Sequence, residues 1–337
     1  MSSAQVVEDL LLQNISCNSG ESDVVQYIKF GLQLAYVLPL GILYLSFLIK
    51  IVKRRKDREL FEDSFFTLQL ADGIITIYFL VSDTSFFRLN SYVRPVCEFL
   101  VPLLKDPSYI LTPFYTSYMY AQLAKMLSTL AMSVNRYTSV NHPVHHKTIW
   151  MQYCTKTVIA IFIIPLLGVW PVAIGYTNFL PFNGNAVINY EHRIPWARTT
   201  YGRLIVSVPT LMFTIYSSIV TSSKLRKLGG HMKKVEFSMS IATIFTSCGF
   251  ILVVALQICY LLIDSASLLD KMWVTKLIMA ATQLGNDFYM LSGPVVLLIL
   301  DKRMRSSLCC CSKKTKSSTR TTKVSVQPIT MVHSHHP

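Results

Sequence analysis

Charge is scarce in this sequence. Only 15% of its 337 residues are Asp, Glu, Lys or Arg, against 52% that are hydrophobic. A soluble domain needs more charge than that to cover its surface. No HExxH or comparable metal signature occurs, and the Cys, His and Asp residues form no nucleophile–base constellation, so nothing points to an enzyme and no cofactor is implied. No internal repeat is visible, which removes support for a transporter built from inverted halves. No cleavable leader is expected: Leu10-Leu11-Leu12 is too short an apolar run and follows no basic residue. The first long apolar block is expected to act as the signal anchor.

What the sequence has instead is apolar residues gathered in blocks. As helices, blocks of about 20 residues cross a bilayer core of about 30 Å. Lipid cannot satisfy backbone amides, so spanning segments are helices or closed barrels. Continuous apolar character without strict alternation selects helices. Seven blocks cover residues 27–52, 64–87, 113–134, 154–176, 204–223, 237–263 and 273–300. The expected fold class is therefore an all-α membrane protein, a seven-transmembrane helix bundle.

Net charge is +14, and its placement argues against nucleic acid as the partner. The segments 53–63, 136–156, 224–236 and 301–337 carry 21 Lys and Arg, whereas the alternate segments 88–112, 177–203 and 264–272 carry 7. Basic residues stay in the cytosol during insertion, so the richer set is placed inside and the amino terminus outside. The first 26 residues hold no Lys or Arg but do hold a glycosylation sequon at Asn14, usable only on the outer side. The chain thus divides into an extracellular tail (1–26), the bundle (27–300), an amphipathic juxtamembrane segment with a short membrane-anchored helix (301–311), and a Ser-, Thr- and Lys-rich cytosolic tail expected to be disordered (312–337).

This orientation sorts the eight cysteines. Cys17 and Cys97 fall outside, where a disulfide between them would tie the tail to the segment before the third span; two unpaired thiols are the alternative. Cys309, Cys310 and Cys311 follow the last span and its basic residues, as palmitoylated cysteines do. A metal site with His333, His335 and His336 is the rival there, but no ligand spacing of a known site appears.

Arg136 closes the third block within "NRYTSVNHP". An arginine there could simply snorkel to the interface, but the surrounding residues resemble the corresponding point in rhodopsin-like G-protein-coupled receptors. An acid or its substitute, an Arg and an aromatic end the third span in that family, and a Pro follows seven residues after the Arg; here these are Asn135, Arg136, Tyr137 and Pro143. The resemblance implies that Arg136 contacts a heterotrimeric G protein in the active state. Asn135 cannot form the carboxylate–arginine pair that locks many such receptors. "FFTLQLADGI", "MSVNRY", "HPVHHKTIW" and "NDFYMLSGP" narrow the resemblance to nematode serpentine chemoreceptors of class gamma, across about residues 27–305. That implies a chemosensory receptor for a small external cue, in the plasma membrane of sensory cilia. The generic pattern is incomplete. The segment 177–203 has no cysteine, the sixth span has no Trp or Pro, and Ser292-Gly293-Pro294 stands where Asn-Pro-x-x-Tyr is usual.

Ionisable residues inside spans cost about 2.5–3.5 kcal/mol each on insertion scales and mark functional positions. Asp72 lies mid-depth in the second span. Lys125 lies 11 residues before Arg136, about 20° away in azimuth and about 16 Å away in height on one helix. The two depths agree, which predicts an Asp72–Lys125 ion pair with Asp287 as second partner and Asn286 beside it. The alternative leaves Lys125 alone in a water cavity. Rhodopsin-like receptors often hold sodium at the acid of the second span, and the ammonium would replace it here. A ligand pocket is expected to open outward between spans three, five, six and seven. Tyr118, Gln122, Gln257 and Gln283 would supply its polar groups among aliphatic walls, unless these amides merely join helices.

Three rivals are weighed. An opsin needs a lysine deep in the last span, where Asp287 stands. An enzyme lacks a constellation. An inverted seven-span ligand-gated cation channel of the insect chemoreceptor type needs the opposite charge bias. Anionic lipid is a further expected partner of the basic segments, and a second copy of the chain is a candidate one.

Overall fold

The computed structural model describes residues 22–54, 64–103, 108–182, 185–191, 193–194, 199–225, 232–265 and 272–300. Asn14, Cys17, Cys309, Cys310 and Cys311 lie outside the described residues, as do most of the basic segments.

Helix α1 spans Asp23–Arg54 and α2 spans Ser64–Ser82. A π-helical stretch, Asp83–Arg88, continues α2 into the turn α3, Leu89–Tyr92. After α4 (Arg94–Leu103) come α5 (Thr112–Asn141) and α6 (Pro143–Ala173). The strands β1 (Tyr176–Phe182) and β2 (Asn185–Glu191) form an antiparallel hairpin, pairing Tyr176 with Glu191 through Phe182 with Asn185. Helices α7 (Thr199–Leu225), α8 (Met232–Ser265) and α9 (Met272–Leu300) complete the chain. Five of the helical segments, 23–53, 64–92, 143–173, 199–224 and 241–262, are long and apolar enough to cross a membrane.

Helix α5 is not one of the five, for a visible reason. Gln122, Lys125, Ser128, Thr129, Ser133, Asn135 and Arg136 are all buried along it, so its polar stripe lowers its mean hydropathy while facing protein. It is wrapped by α2, α6 and α7, while α1 touches α2 and α9, α7 touches α8, and α8 touches α9. The ring closes on a core that includes Tyr44, Phe79, Met126, Phe250 and Tyr289. Outward faces stay apolar, as at Leu32 and Ile42 of α1 (65% exposed each) and Leu167 of α6 (71%). A surface of that kind suits hydrocarbon.

The helices run past the apolar blocks that predict them. Helix α5 continues to Asn141 and α6 begins at Pro143, so His142 alone separates them. Proline fits the first helical turn, where its missing N–H costs nothing. The segment expected as a loop between the third and fourth spans is therefore almost wholly helical. Prolines inside α1, α6 and α7 (Pro39, Pro165, Pro171, Pro209) are carried within the helices. At the opposite end the hairpin docks over α4 and α5. Phe179 and Ile188 pack with Cys97 and Leu111, and Ser108 bridges to Thr177. Close approach is needed between α8 and α9, where a Cβ on Gly249 would lie 2.9 Å from the Tyr289 backbone.

Candidate functional site

At mid-bundle the Lys125 ammonium lies 2.7 Å from Asp72 Oδ2 and donates to Thr76 Oγ1 at 3.0 Å. Asp72 also accepts from the Ser128 hydroxyl and from the Tyr44 hydroxyl, the latter at 3.0 Å. Asp72 and Lys125 are each 1% exposed, so the charges are met by protein hydrogen bonds away from bulk solvent. The Tyr289 ring faces the ammonium at 5.7 Å, and the Tyr289 hydroxyl lies 2.8 Å from Thr129 Oγ1. Helices α1, α2, α5 and α9 thus meet at one polar point. A cavity of about 30 Å³, bordered by Phe65, Asp72, Lys125, Thr246 and Gly293, opens beside it on the side toward Arg136. That is room for a water or two.

Asp287 does not share Lys125, contrary to the expectation. It accepts from both terminal nitrogens of Arg88, one at 3.0 Å, and from the Tyr36 hydroxyl. Arg88 Nε donates to Asp83. Arg88, Asp83 and Asp287 are 1%, 4% and 3% exposed, so two carboxylates share one guanidinium across α2, α9 and the hydroxyl of α1. Sequence reasoning places Arg88 in an outer loop and passes over Asp83. The π-helical stretch is what turns Arg88 inward: the Leu89 N–H bonds the Thr84 carbonyl, five residues back, and Asp83 and Arg88 have the same spacing. Such stretches recur at functional positions. Asn286, next to Asp287, is buried (6%).

The four expected pocket residues divide between two places. Gln283 accepts from Tyr92 at 3.0 Å and from Gln33 at 3.3 Å, on the α1 side. Gln122 accepts from Arg203 Nη1 of α7 at 2.9 Å. Tyr118 packs between Phe79 and Phe87, with centroids at 5.1 and 4.1 Å. Gln257 is 5% exposed, and its Oε1 has no hydrogen-bond partner. The hairpin lies close above this region: the Tyr190 ring stacks on Tyr115 at 5.6 Å and its hydroxyl donates to the Pro171 carbonyl at 2.8 Å. Burial, followed by Tyr115, raises the Tyr190 phenol above its ordinary pKa. Cys97, beneath the hairpin, is disulfide-bonded, whereas Cys154, Cys248 and Cys259 form no disulfide.

At the opposite end, the four residues expected to meet a G protein tie four helices together. The Asn135 amide donates to the Ser64 hydroxyl of α2 at 2.7 Å. The Arg136 guanidinium lies over the Phe65 ring at 3.9 Å and the residue is 4% exposed. Tyr137 turns toward Tyr216 and Phe213 of α7, at 5.9 and 6.2 Å. Pro143 starts α6, and Trp150 Nε1 donates back to Thr138 at 2.8 Å. Among the described residues, no group of His, Cys, Asp and Glu is arranged to hold a metal.

The family profile described as Srg family chemoreceptor matches residues 30–308. Among curated relatives, serpentine receptor class gamma-15 of Caenorhabditis elegans is 28% identical over 86% of this chain and 88% of its own length. Serpentine receptor class gamma-4 of the same organism is 26% identical over 86% and 90%. Class gamma-13 is 27% identical over 88% and 89%.

Proposed function

The chain belongs to the Srg family of chemoreceptors, and from that premise we propose that it is a chemosensory G-protein-coupled receptor with seven spans, an outer amino terminus and a cytosolic tail. A small external chemical binds at the hairpin end, and a heterotrimeric G protein binds at the Arg136 end. The observation that carries this reading is Arg136 itself, 4% exposed and laid over Phe65. Asn135, which stands where many such receptors have an acid, donates to Ser64 of α2 instead. Agonist then shifts a population toward an open bundle by binding that state better. The excess of Lys and Arg on alternate segments supports the orientation. Cys17 is the proposed partner of Cys97, and Cys309, Cys310 and Cys311 are the proposed lipid attachment points.

The test has two parts. An epitope after Pro337 should stain only permeabilised cells, and a glycosidase shift should depend on Asn14; a tail exposed on intact cells would favour the inverted channel. Arg136→Ala should lower receptor-driven nucleotide exchange tenfold or more while leaving surface expression unchanged. Undiminished exchange in that variant would remove Arg136 from the coupling role.

A further inference from the structure

Lys125 and Arg88 each hold a carboxylate, but Arg203 holds none among the described residues. It stands near the start of α7, at the hairpin end, and is half-buried. One terminal nitrogen donates to the Gln122 amide oxygen at 2.9 Å. Its Nε is shielded from solvent and has no hydrogen-bond partner. The buried acids of this half among the described residues, Asp83 and Asp287, are both taken by Arg88. Tyr115 and Tyr118, also half-buried, lie within electrostatic reach of Arg203, and Tyr260 of α8 lies within reach of Tyr115. One turn from Tyr260 along α8, the buried Gln257 has an unpartnered Oε1. An unpartnered acceptor thus sits on α8, the helix packed against α7.

A guanidinium offers five donors in a planar fork matched to a carboxylate. Leaving such donors buried and unused is costly, and it persists where a ligand completes the shell. A cationic ligand would meet Arg203 as repulsion. We propose that Arg203 is the recognition residue for a small organic carboxylate, whose acid group is gripped by the guanidinium beside Gln122 and whose apolar body lies against Tyr115 and Tyr118. This rests on the receptor reading above and names the chemical class of its ligand. Gln257 accepts a hydrogen bond from a donor on the same ligand.

The test uses the full-length receptor in neutral detergent. Straight-chain and phenyl-substituted carboxylic acids of four to twelve carbons, their methyl esters and the matching amines serve as probes, with phosphatidylglycerol micelles as a further arm. Thermal unfolding is followed against probe concentration, because a ligand that binds only the folded state raises Tm by mass action. At least one acid should raise Tm while its ester and amine do not. Arg203→Gln should weaken that acid's apparent Kd by about tenfold or more, as expected for lost charge-assisted hydrogen bonds, and Arg203→Lys should keep part of it. Equal shifts for acid and ester, no charge-dependent shift in the panel, a preference for phosphatidylglycerol over every soluble acid, or an unchanged Kd in Arg203→Gln would each overturn the site. The acid–ester comparison needs no variant, so it stands even where a substitution impairs folding. Nucleotide exchange is read separately. Acids that bind through Arg203 without driving exchange would sink the coupling reading and leave the site. Exchange driven equally by esters and amines would sink the site and leave the coupling reading.

Discussion

Around Asp72 one carboxylate faces one ammonium, while around Arg88 two carboxylates share one guanidinium. The Asp72 cluster is closed: Lys125, Ser128 and Tyr44 all donate to the acid, and the charges cancel. The Arg88 cluster carries one acid more than it has cations, and Arg203, which meets no carboxylate among the described residues, stands in the same half of the bundle. Both lie in a medium that penalises isolated charge. The difference indicates separate duties. The Asp72 cluster pins four helices at a fixed depth, while the hairpin end retains a cation with donors to spare. Removing one member of a buried pair costs about 3–5 kcal/mol because it strands the other, so each cluster can be broken and repaired in a way that reads its charge count.

The largest effect is expected from Arg88→Ala, which strands both Asp83 and Asp287. It should lie near the top of that range of about 3–5 kcal/mol and appear as lost surface expression and a lowered Tm in detergent. Adding Asp287→Asn should restore only part of the loss, and adding Asp83→Asn as well should restore more. Full recovery from a single neutralisation would mean that the second acid is not charged beside Arg88.

Lys125→Ala comes next, near the bottom of the same range of about 3–5 kcal/mol, since Ser128 and Tyr44 still donate to Asp72. Here one neutralisation should suffice. Asp72→Asn in the Lys125→Ala background should return expression close to that of the unaltered receptor. An absence of rescue would show that the two residues are not coupled, and a double-mutant cycle measures the coupling directly.

What the sequence reveals follows the strength of its periodicity. Asp72 and Lys125 can be matched from hydropathy depth and 100° per residue, because both sit inside regular helix. Arg88 escapes that arithmetic, since a π-helical stretch shifts every side chain after Asp83. The only trace is the five-residue spacing of Asp83 and Arg88, where a regular helix would use three or four. The hairpin also left a signal, Asn183-Gly184 between two apolar-rich runs, a dipeptide that favours tight hairpin turns. Arg203 reads as one more residue at the end of a loop. That it faces Gln122 depends on how α5 and α7 pack, which no local pattern encodes. The apolar blocks locate the helices well but not their ends, because α5 and α6 extend past the hydrophobic boundary on Pro143, Trp150 and Thr138. The seven residues of polar stripe on α5 also show why hydropathy alone ranks a central helix below peripheral ones.

The smallest effect separates the two clusters most cleanly. Tyr36 donates to Asp287 and is half-buried, whereas Tyr44 donates to Asp72 at 1% exposure. Hydrogen bonds within membrane proteins average about 0.6 kcal/mol, because the alternative state also finds partners. Tyr36→Phe should cost about that much, since Arg88 still offers Asp287 two donors. Tyr44→Phe should cost more, up to about 1.7 kcal/mol, since it removes a donor from an acid that has a single cationic partner and no exposure. Unfolding of the two variants side by side, with expression held equal, gives the ratio. A Tyr36→Phe loss equal to or larger than that of Tyr44→Phe would place the tighter hydrogen-bond network at the hairpin end and reverse the assignment of fixed and adjustable halves.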